Sequence, residues 1–309
     1  MPDIFIAPTS FGCHSSDSIK LLKEHDFIYT KNSKNRKLSS NEIVELAYEA
    51  DGIIAGTEKY SNDIINKLPK LKVISRLGVG LDNINLETAS KRKIKVLNTS
   101  SPAPAVAELI LGLILDLARQ ISYHNFYLKK GKWHKNMGTL FSGKTIGIIG
   151  LGSVGKAFIE LVQGFKLKIL AYDLVEDDIF KEKYNVEYCD LDSLLKKSNI
   201  VSISLNFTSL TKNLINKNRL DLMKSDSILV NTSRAEIVDE NALYYALKNK
   251  KLAGAGIDVF NEEPYSGQLI ELKNTILTPH IGSYAKEIRI KMEIEATQNL
   301  IKGLSVGTK

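Results

Sequence analysis

Three polar side chains close three short apolar runs in the C-terminal half of the sequence: Arg234 in Leu229-Val-Asn-Thr-Ser-Arg, Glu263 in Ile257-Asp-Val-Phe-Asn-Glu-Glu-Pro, and His280 in Leu277-Thr-Pro-His. Each run reads as a buried parallel strand, and open parallel sheets offer ligands the carboxyl ends of their strands. A guanidinium grips a carboxylate through two parallel hydrogen bonds, an imidazole exchanges a proton near neutral pH, and an anion beside the imidazole favours its charged form. Together they suit hydride transfer to a 2-oxo acid: Arg234 for the carboxylate, His280 as proton donor to the developing alkoxide, and Glu263 as support for that donor. Taken singly each has a plainer reading: a surface ion pair, one of two loop acids before Pro264, and a loop histidine after Pro279.

The carrier of the hydride is suggested upstream. In Gly143-Lys-Thr-Ile-Gly-Ile-Ile-Gly-Leu-Gly-Ser-Val-Gly-Lys-Ala-Phe, an apolar strand pattern runs into Gly150, Gly152 and Gly155, and an amphipathic helix pattern follows. Gly150 permits the tight turn, Gly152 lets backbone approach a pyrophosphate, and Gly155 lets the helix pack closely on the strand; the helix start then turns its N–H groups toward phosphate charge. The next strand pattern, 168–172, ends at Asp173, eighteen residues past Gly155, where a carboxylate accepts from ribose hydroxyls and repels a 2′-phosphate. With Glu176, Asp177 and Asp178 close behind and no Arg among residues 174–178, the pattern predicts NAD rather than NADP.

The elements that must position these groups form two series of β-branched strands alternating with amphipathic helices, an α/β pattern with parallel sheets buried on both faces. In the first, strands are predicted at 4–7, 52–55, 73–75 and 95–97, with helices near 39–50, 61–67 and 86–92. The second follows a long helical pattern, 103–121, and a Lys/Gly-containing stretch around Trp133. Its six strands, at 145–149, 168–172, 200–205, 227–230, 254–257 and 275–277, suit a full dinucleotide fold. A last helical pattern, 284–301, leaves the second series and is expected to return to the first.

Composition excludes several other classes. The chain has 309 residues, 43% apolar and 25% charged, enough for a sizeable core. The net charge of +7 is dispersed, and the densest basic cluster, 31–37, lies in an Asn/Ser-rich stretch that reads as a solvated loop. Without aromatic-interleaved basic stripes or zinc-finger spacing, nucleic acid is not an expected partner. Two cysteines, Cys13 and Cys189, make neither a disulfide framework nor a Cys-rich metal site, so no metal is expected and a reducing cytoplasm is the natural setting. The N-terminus lacks the pattern of a secretory signal, and the most apolar stretch, 105–121, carries Glu108, Asp116 and Arg119, so no membrane segment is expected.

At this point the sequence resembles the D-2-hydroxyacid dehydrogenases, especially their phosphoglycerate dehydrogenase branch. The likeness runs from about residue 51 to 285, through Ile74-Ser-Arg-Leu-Gly-Val-Gly-Leu-Asp-Asn-Ile, Leu97-Asn-Thr, Ala107-Glu-Leu, Gly131-Lys-Trp, the glycine turn, Val230-Asn-Thr-Ser-Arg, Gly256-Ile-Asp-Val-Phe, Glu263-Pro and Thr278-Pro-His-Ile-Gly. The resemblance implies two Rossmann-like or flavodoxin-like domains with a closing cleft: a discontinuous substrate domain (1–100 plus 284–309) and an NAD domain (101–283) that includes a dimerisation segment near Trp133. It implies that Arg234 binds the substrate carboxylate and carbonyl, His280 exchanges the proton and Glu263 pairs with His280. Ser153 and Val154 would touch the pyrophosphate and Asp173 the ribose. Leu205, Thr232, Ser233 and Arg234 would line the cofactor rim, with Asp258 at the nicotinamide amide and His280, Gly282 and Ser283 completing the nicotinamide side. Val79 and Gly80 would offer backbone N–H groups near substrate and cofactor. The expected partners are a 2-hydroxy or 2-oxo acid and a second copy of the chain.

Departures from the family pattern bear on the substrate. Gly56 and Thr57 stand where phosphoglycerate dehydrogenases often carry an Arg for the phosphate, while Arg76, with Lys135 of a second copy, offers cations for a phosphate or second carboxylate unless both are ordinary surface cations. Ala235 and Glu236 replace two glycines after the family's Arg, and Ser204-Leu-Asn-Phe replaces a His/Pro-containing loop. The expected activity is therefore NAD-dependent oxidation or reduction at C2 of a D-2-hydroxy acid. 3-Phosphoglycerate, glyoxylate, hydroxypyruvate and sugar acids are alternative substrates, and an NAD-sensing co-repressor is the alternative of another class.

Overall fold

The apolar runs at Ile4, Gly52 and Val73 become the centre of a five-stranded parallel sheet in a computed structural model that describes residues 1–305. The chain divides into two units, Met1–Pro102 with the chain from Tyr284 onward, and Ala103–Ser283. In the first, β1 (Asp3–Ile6), β2 (Ile28–Lys31), β3 (Gly52–Ala55), β4 (Val73–Arg76) and β5 (Lys95–Asn98) lie in the order β2-β1-β3-β4-β5. Strands β3 and β4 are buried throughout, as continuous apolar runs demand of strands covered on both faces. β2 departs from the sequence expectation. It is a four-residue edge strand with exposed and half-buried residues in alternation, too polar to stand out. Lys31, expected in a solvated loop, ends this strand and donates from Nζ to the Phe11 carbonyl at 2.6 Å.

The helix Lys286–Ser305 covers one face of this sheet. Met292, Ala296 and Leu300 join Ile4, Ile6 and Val73 in one apolar cluster, and the Ser75 hydroxyl donates to the Ala296 carbonyl at 2.7 Å. Close approach is possible because Gly303 has no Cβ, which would lie 2.8 Å from the Val73 side chain.

The second unit holds β6 (Thr145–Ile149), β7 (Lys168–Tyr172), β8 (Val186–Tyr188), β9 (Ile200–Ile203), β10 (Ile228–Asn231), β11 (Gly254–Ile257) and β12 (Thr275–Leu277), all parallel, in the order β12-β11-β10-β9-β6-β7-β8. Seven strands are present rather than six, because the short edge strand β8 carries only Val186 as a buried residue. The helix Ala103–Arg119 buries Val106, Ile110, Leu113 and Ile114 against Ile146, Ile148 and Phe158 of the same unit, so this face belongs to the core. It stops before Ile121 because Gln120 takes a left-handed conformation, and Asp116 accepts from the Ser122 N–H at 2.7 Å to start the helix Ile121–Lys129. Among the described residues no helix is long and apolar enough to cross a membrane, and no group of acidic, His or Cys side chains could hold a metal ion.

Candidate active site

Register places the candidate residues in line. Tyr172, Ile149, Ile203, Asn231, Ile257 and Leu277 pair in sequence across β7, β6, β9, β10, β11 and β12. The residue after each strand end is therefore Asp173, Gly150, Ser204, Thr232, Asp258 or Thr278, and these six follow one row at the carboxyl edge of the sheet. That edge is where open parallel sheets bind ligands.

At β6 the chain turns at Gly150, whose φ of +96° is left to glycine and whose absent Cβ would lie 2.7 Å from the Ser204 carbonyl oxygen. A Cβ at Gly155 would lie 2.5 Å from the Gly150 carbonyl oxygen, so helix and turn meet only because it is missing. Gly152 differs: no protein atom lies within 4 Å of the Cβ position, leaving open space above the turn. Ser153 and Val154 open the helix Ser153–Leu161, which has no side-chain cap and no acidic residue in its first turn, an arrangement suited to phosphate charge. Asp173 is held beside the turn, accepting from the N–H groups of Leu151 and Leu174, each at 2.7 Å. The groups present therefore fit a dinucleotide: open backbone for the pyrophosphate and a fixed carboxylate for the ribose.

The other end of the row is held by Asp258, which is fully buried. Its Oδ1 accepts from the Thr278 hydroxyl at 2.6 Å and the Ile281 N–H at 2.8 Å, and its Oδ2 accepts from the Gly282 N–H at 2.9 Å. Burial pushes its carboxyl above the ordinary value, a desolvation effect that these hydrogen bonds and His280 only partly offset. The three bonds bracket His280, whose φ of +54° is uncommon for a residue with a side chain and whose N–H returns to the Thr278 carbonyl at 2.9 Å. This tie between β11 and β12 fixes the backbone from which the imidazole projects. Ser283 follows Gly282 at the end of the unit.

His280 Nδ1 and Glu263 Oε1 lie 2.9 Å apart, with both side chains partly buried. Glu263 precedes Pro264 across a cis bond, and its loop is braced by Phe260 stacked on Tyr265, with ring centroids 4.0 Å apart. The Tyr265 hydroxyl donates to Glu240 at 2.8 Å, and its own ionisation is pushed up to about 12, first by burial and then by that carboxylate. Arg234 lies three residues past β10 and half-buried, its Nη1 donating to the Ser233 carbonyl at 2.8 Å. The turn beneath it is fixed by Asn231, which donates to the Arg234 carbonyl and accepts from the Ser233 N–H, and by the Ser233 hydroxyl on the Leu205 carbonyl at 2.8 Å. Ala235 is buried and opens the short turn Ala235–Ile237, with Glu236 half-buried within it.

The remaining candidates lie in the first unit. Arg76 is 8% exposed, so it is not a surface cation; its Nη1 donates to the adjacent Leu77 carbonyl, and the guanidinium lies over Gly78. Val79 is exposed and Gly80 half-buried, and the Asn98 side chain pins the loop by donating to the Val79 carbonyl at 2.8 Å. Sequence reasoning did not single out Asn231, Thr278 or Tyr265 as positioning groups. The signal lay in their offsets from Arg234, His280 and Glu263.

The chain has relatives whose family is known. The family described as D-isomer specific 2-hydroxyacid dehydrogenase, NAD binding domain, matches residues 111–282, more than half of the chain. The glyoxylate reductase of Thermococcus litoralis is 39% identical over 271 residues, spanning 84% of this chain and 82% of that protein. The hydroxypyruvate reductase of Thermotoga maritima is 38% identical over 277 residues, spanning 87% and 90%. Among solved structures, D-lactate dehydrogenase from Aquifex aeolicus complexed with NAD and lactic acid superposes with a TM-score of 0.82 at 29% identity, covering 99% of this chain and 96% of that one. The chain thus belongs to the D-isomer-specific 2-hydroxyacid dehydrogenase family, NAD-dependent oxidoreductases that act on a CH–OH group.

Proposed function

We propose that Arg234, His280 and Glu263 are the catalytic residues with which this enzyme interconverts a small D-2-hydroxy acid and its 2-oxo acid. The observation that carries the assignment is the 2.9 Å contact between His280 Nδ1 and Glu263. A carboxylate there accepts the Nδ1 proton, which leaves Nε2 as the atom that delivers a proton to the carbonyl oxygen on reduction or removes it from the hydroxyl on oxidation. Arg234 holds the substrate carboxylate, and Arg76, Val79 and Gly80 contribute to substrate binding. NAD, when bound, accepts or supplies the hydride. Gly150, Gly152, Ser153, Val154 and Gly155 hold its pyrophosphate and Asp173 its ribose; Val79, Leu205, Thr232, Ser233, Asp258, Gly282 and Ser283 complete the cofactor site. Asp258 has a second task in orienting the loop of His280.

Oxidation of NADH, followed by absorbance, is to be measured with glyoxylate, hydroxypyruvate, pyruvate and 3-phosphohydroxypyruvate. His280→Ala is expected to lower turnover by roughly 10²–10⁴-fold while NADH still binds. Undiminished turnover in that variant, or none with any acid in the parent enzyme, would sink the assignment.

We also infer that the enzyme is a cytoplasmic homodimer. Ile121, Phe126, Leu128, Trp133, Met137 and Leu140 are all exposed within one stretch, Trp133 at 78% and Met137 at 94%, which is costly in water and suited to a second copy. Both cysteines are free thiols, Cys13 exposed, as suits a reducing compartment. Sedimentation equilibrium is expected to give twice the chain mass of 34.4 kDa, and a monomer at micromolar concentration would reject the dimer.

A further inference from the structure

The strand ends of the first unit carry a buried acid, Glu58, that none of the assigned roles uses. Glu58, two residues beyond Gly56, is only 4% exposed, and its carboxylate folds back to accept the Gly56 N–H at 3.0 Å. Glycine at 56 leaves room for this: a Cβ there would lie 2.7 Å from the Glu58 Oε2, and the carboxylate would have to shift. The loop is held from the other side by Asn83, which donates to the carbonyls of Gly56 and Glu58 at 3.1 and 2.7 Å. Arg76 stands on the adjacent strand, its Cα in register with Ala55, and the Leu77 N–H donates to the Ala55 carbonyl at 2.9 Å. Glu58, three residues past the end of β3, and Arg76, the last residue of the adjacent β4, are therefore opposite charges that are both buried. The fully buried Tyr60 hydroxyl feels both. Burial raises its ionisation most, Glu58 raises it further, and Arg76 lowers it.

Charge in so dry a place acts at longer range than charge in water. An isolated guanidinium at the root of the Gly78–Gly80 loop would make that loop attractive to an anion. A buried carboxylate on the neighbouring strand end opposes that attraction. The two strand-end segments, 55–60 and 76–84, carry Lys59 and Arg76 against Glu58 and Asp82, leaving no surplus positive charge for a phosphate or second carboxylate.

We propose that Glu58 is a specificity-determining residue that neutralises Arg76 and so restricts the enzyme to 2-hydroxy and 2-oxo acids with an uncharged tail. This rests on the reading above that Arg76, Val79 and Gly80 serve the substrate. It separates hydroxypyruvate and glyoxylate from 3-phosphohydroxypyruvate and from dicarboxylic 2-oxo acids by the field at the loop, without a group that clashes with the longer tail.

The test compares kcat/KM for hydroxypyruvate with that for 3-phosphohydroxypyruvate, in the parent enzyme and in Glu58→Gln, which keeps an oxygen for the Gly56 N–H. The parent enzyme is expected to favour the uncharged tail at least 100-fold. In the variant, kcat/KM for the phosphorylated acid rises at least tenfold and the ratio moves toward it by the same factor, with the gain shrinking at high salt. Glu58→Thr, which removes the charge with a smaller side chain, gives the same shift if Glu58→Gln does not fold. Calorimetric binding of D-glycerate and 3-phospho-D-glycerate to the NADH-bound enzyme reads the same preference without turnover. Preference of the parent enzyme for the phosphorylated acid, or an unchanged ratio in a folded variant that turns over hydroxypyruvate, overturns the proposal. Absence of turnover with every acid, alongside the expected binding preference, instead overturns the proposed reaction and leaves this inference standing.

Discussion

The first strand of each unit leads through a turn into a helix, and the two turns behave oppositely toward an anion. After β6 the helix Ser153–Leu161 begins within four residues, without an acid in its first turn or a side-chain cap, and above Gly152 there is open space. After β1, ten residues pass before the helix Asp17–Glu24, and Asp17 itself stands in the first turn of that helix. The β1 turn is tied down by the protein's own groups. Glu293 accepts the Gly12 N–H at 2.9 Å, Arg289 donates to the Ser10 hydroxyl at 2.9 Å, and Lys31 holds the Phe11 carbonyl. Parallel topology creates a place for an anion at the end of a strand, and the side chains decide whether that place is left open or filled by a carboxylate of the chain.

The glycines of the open turn give the largest expected break in this contrast. Gly152→Ala places a methyl where no protein atom lies, so the fold should keep its stability while NADH affinity falls at least about tenfold, as lost backbone approach to the pyrophosphate implies. Gly155→Ala should do the reverse in kind, because its Cβ meets a backbone oxygen; stability should drop by about 1–3 kcal/mol. Urea denaturation and NADH fluorescence titration on both variants separate the two, and equal behaviour would mean that neither glycine has the role given to it.

A smaller effect is expected at the closed turn. Burial raises the carboxyl of Glu293 above its ordinary value of 4.5, overcoming the opposing influence of the Gly12 N–H, Arg289, His14 and Lys31. The folded protein therefore binds more proton than the unfolded chain between those two values, and the cost of the buried charge appears as pH rises through the native value. Glu293→Gln removes this pH-dependent cost, so its stability relative to the parent should improve from pH 4 to pH 8. Urea midpoints across that range check it; a constant gap, or one moving the other way, would contradict the sign.

Much of the large sheet and its glycine turn was legible because each leaves a local signature: runs of β-branched residues for strands buried on both faces, and glycine spacing for a turn that must be approached closely. The edge strands β2 and β8 were not, since Ile28-Tyr-Thr-Lys and Val186-Glu-Tyr bury too little to stand out from loops. The break at Gln120 was hidden in a continuous apolar pattern, because a single left-handed residue and the Asp116–Ser122 contact end the helix without Gly or Pro. At the site, residue types pointed to Arg234, Glu263 and His280, yet the bonds from Asp258 to Ile281 and Gly282 depend on β11 and β12 lying side by side. Glu58 escaped notice for a similar reason: an acid two residues past a strand looks solvated until the chain folds it back onto Gly56.

The row of strand ends from Asp173 to Thr278 is also a ruler. Six strands at about 4.8 Å per step set these two residues roughly 24 Å apart along the edge of the sheet. Strand count, more than any single residue, then determines how long a molecule can lie along that edge with one end at the acid and the other at the imidazole loop. Exchanging Asp173 would change which cofactor is accepted, whereas inserting a strand would change what length of cofactor could serve at all.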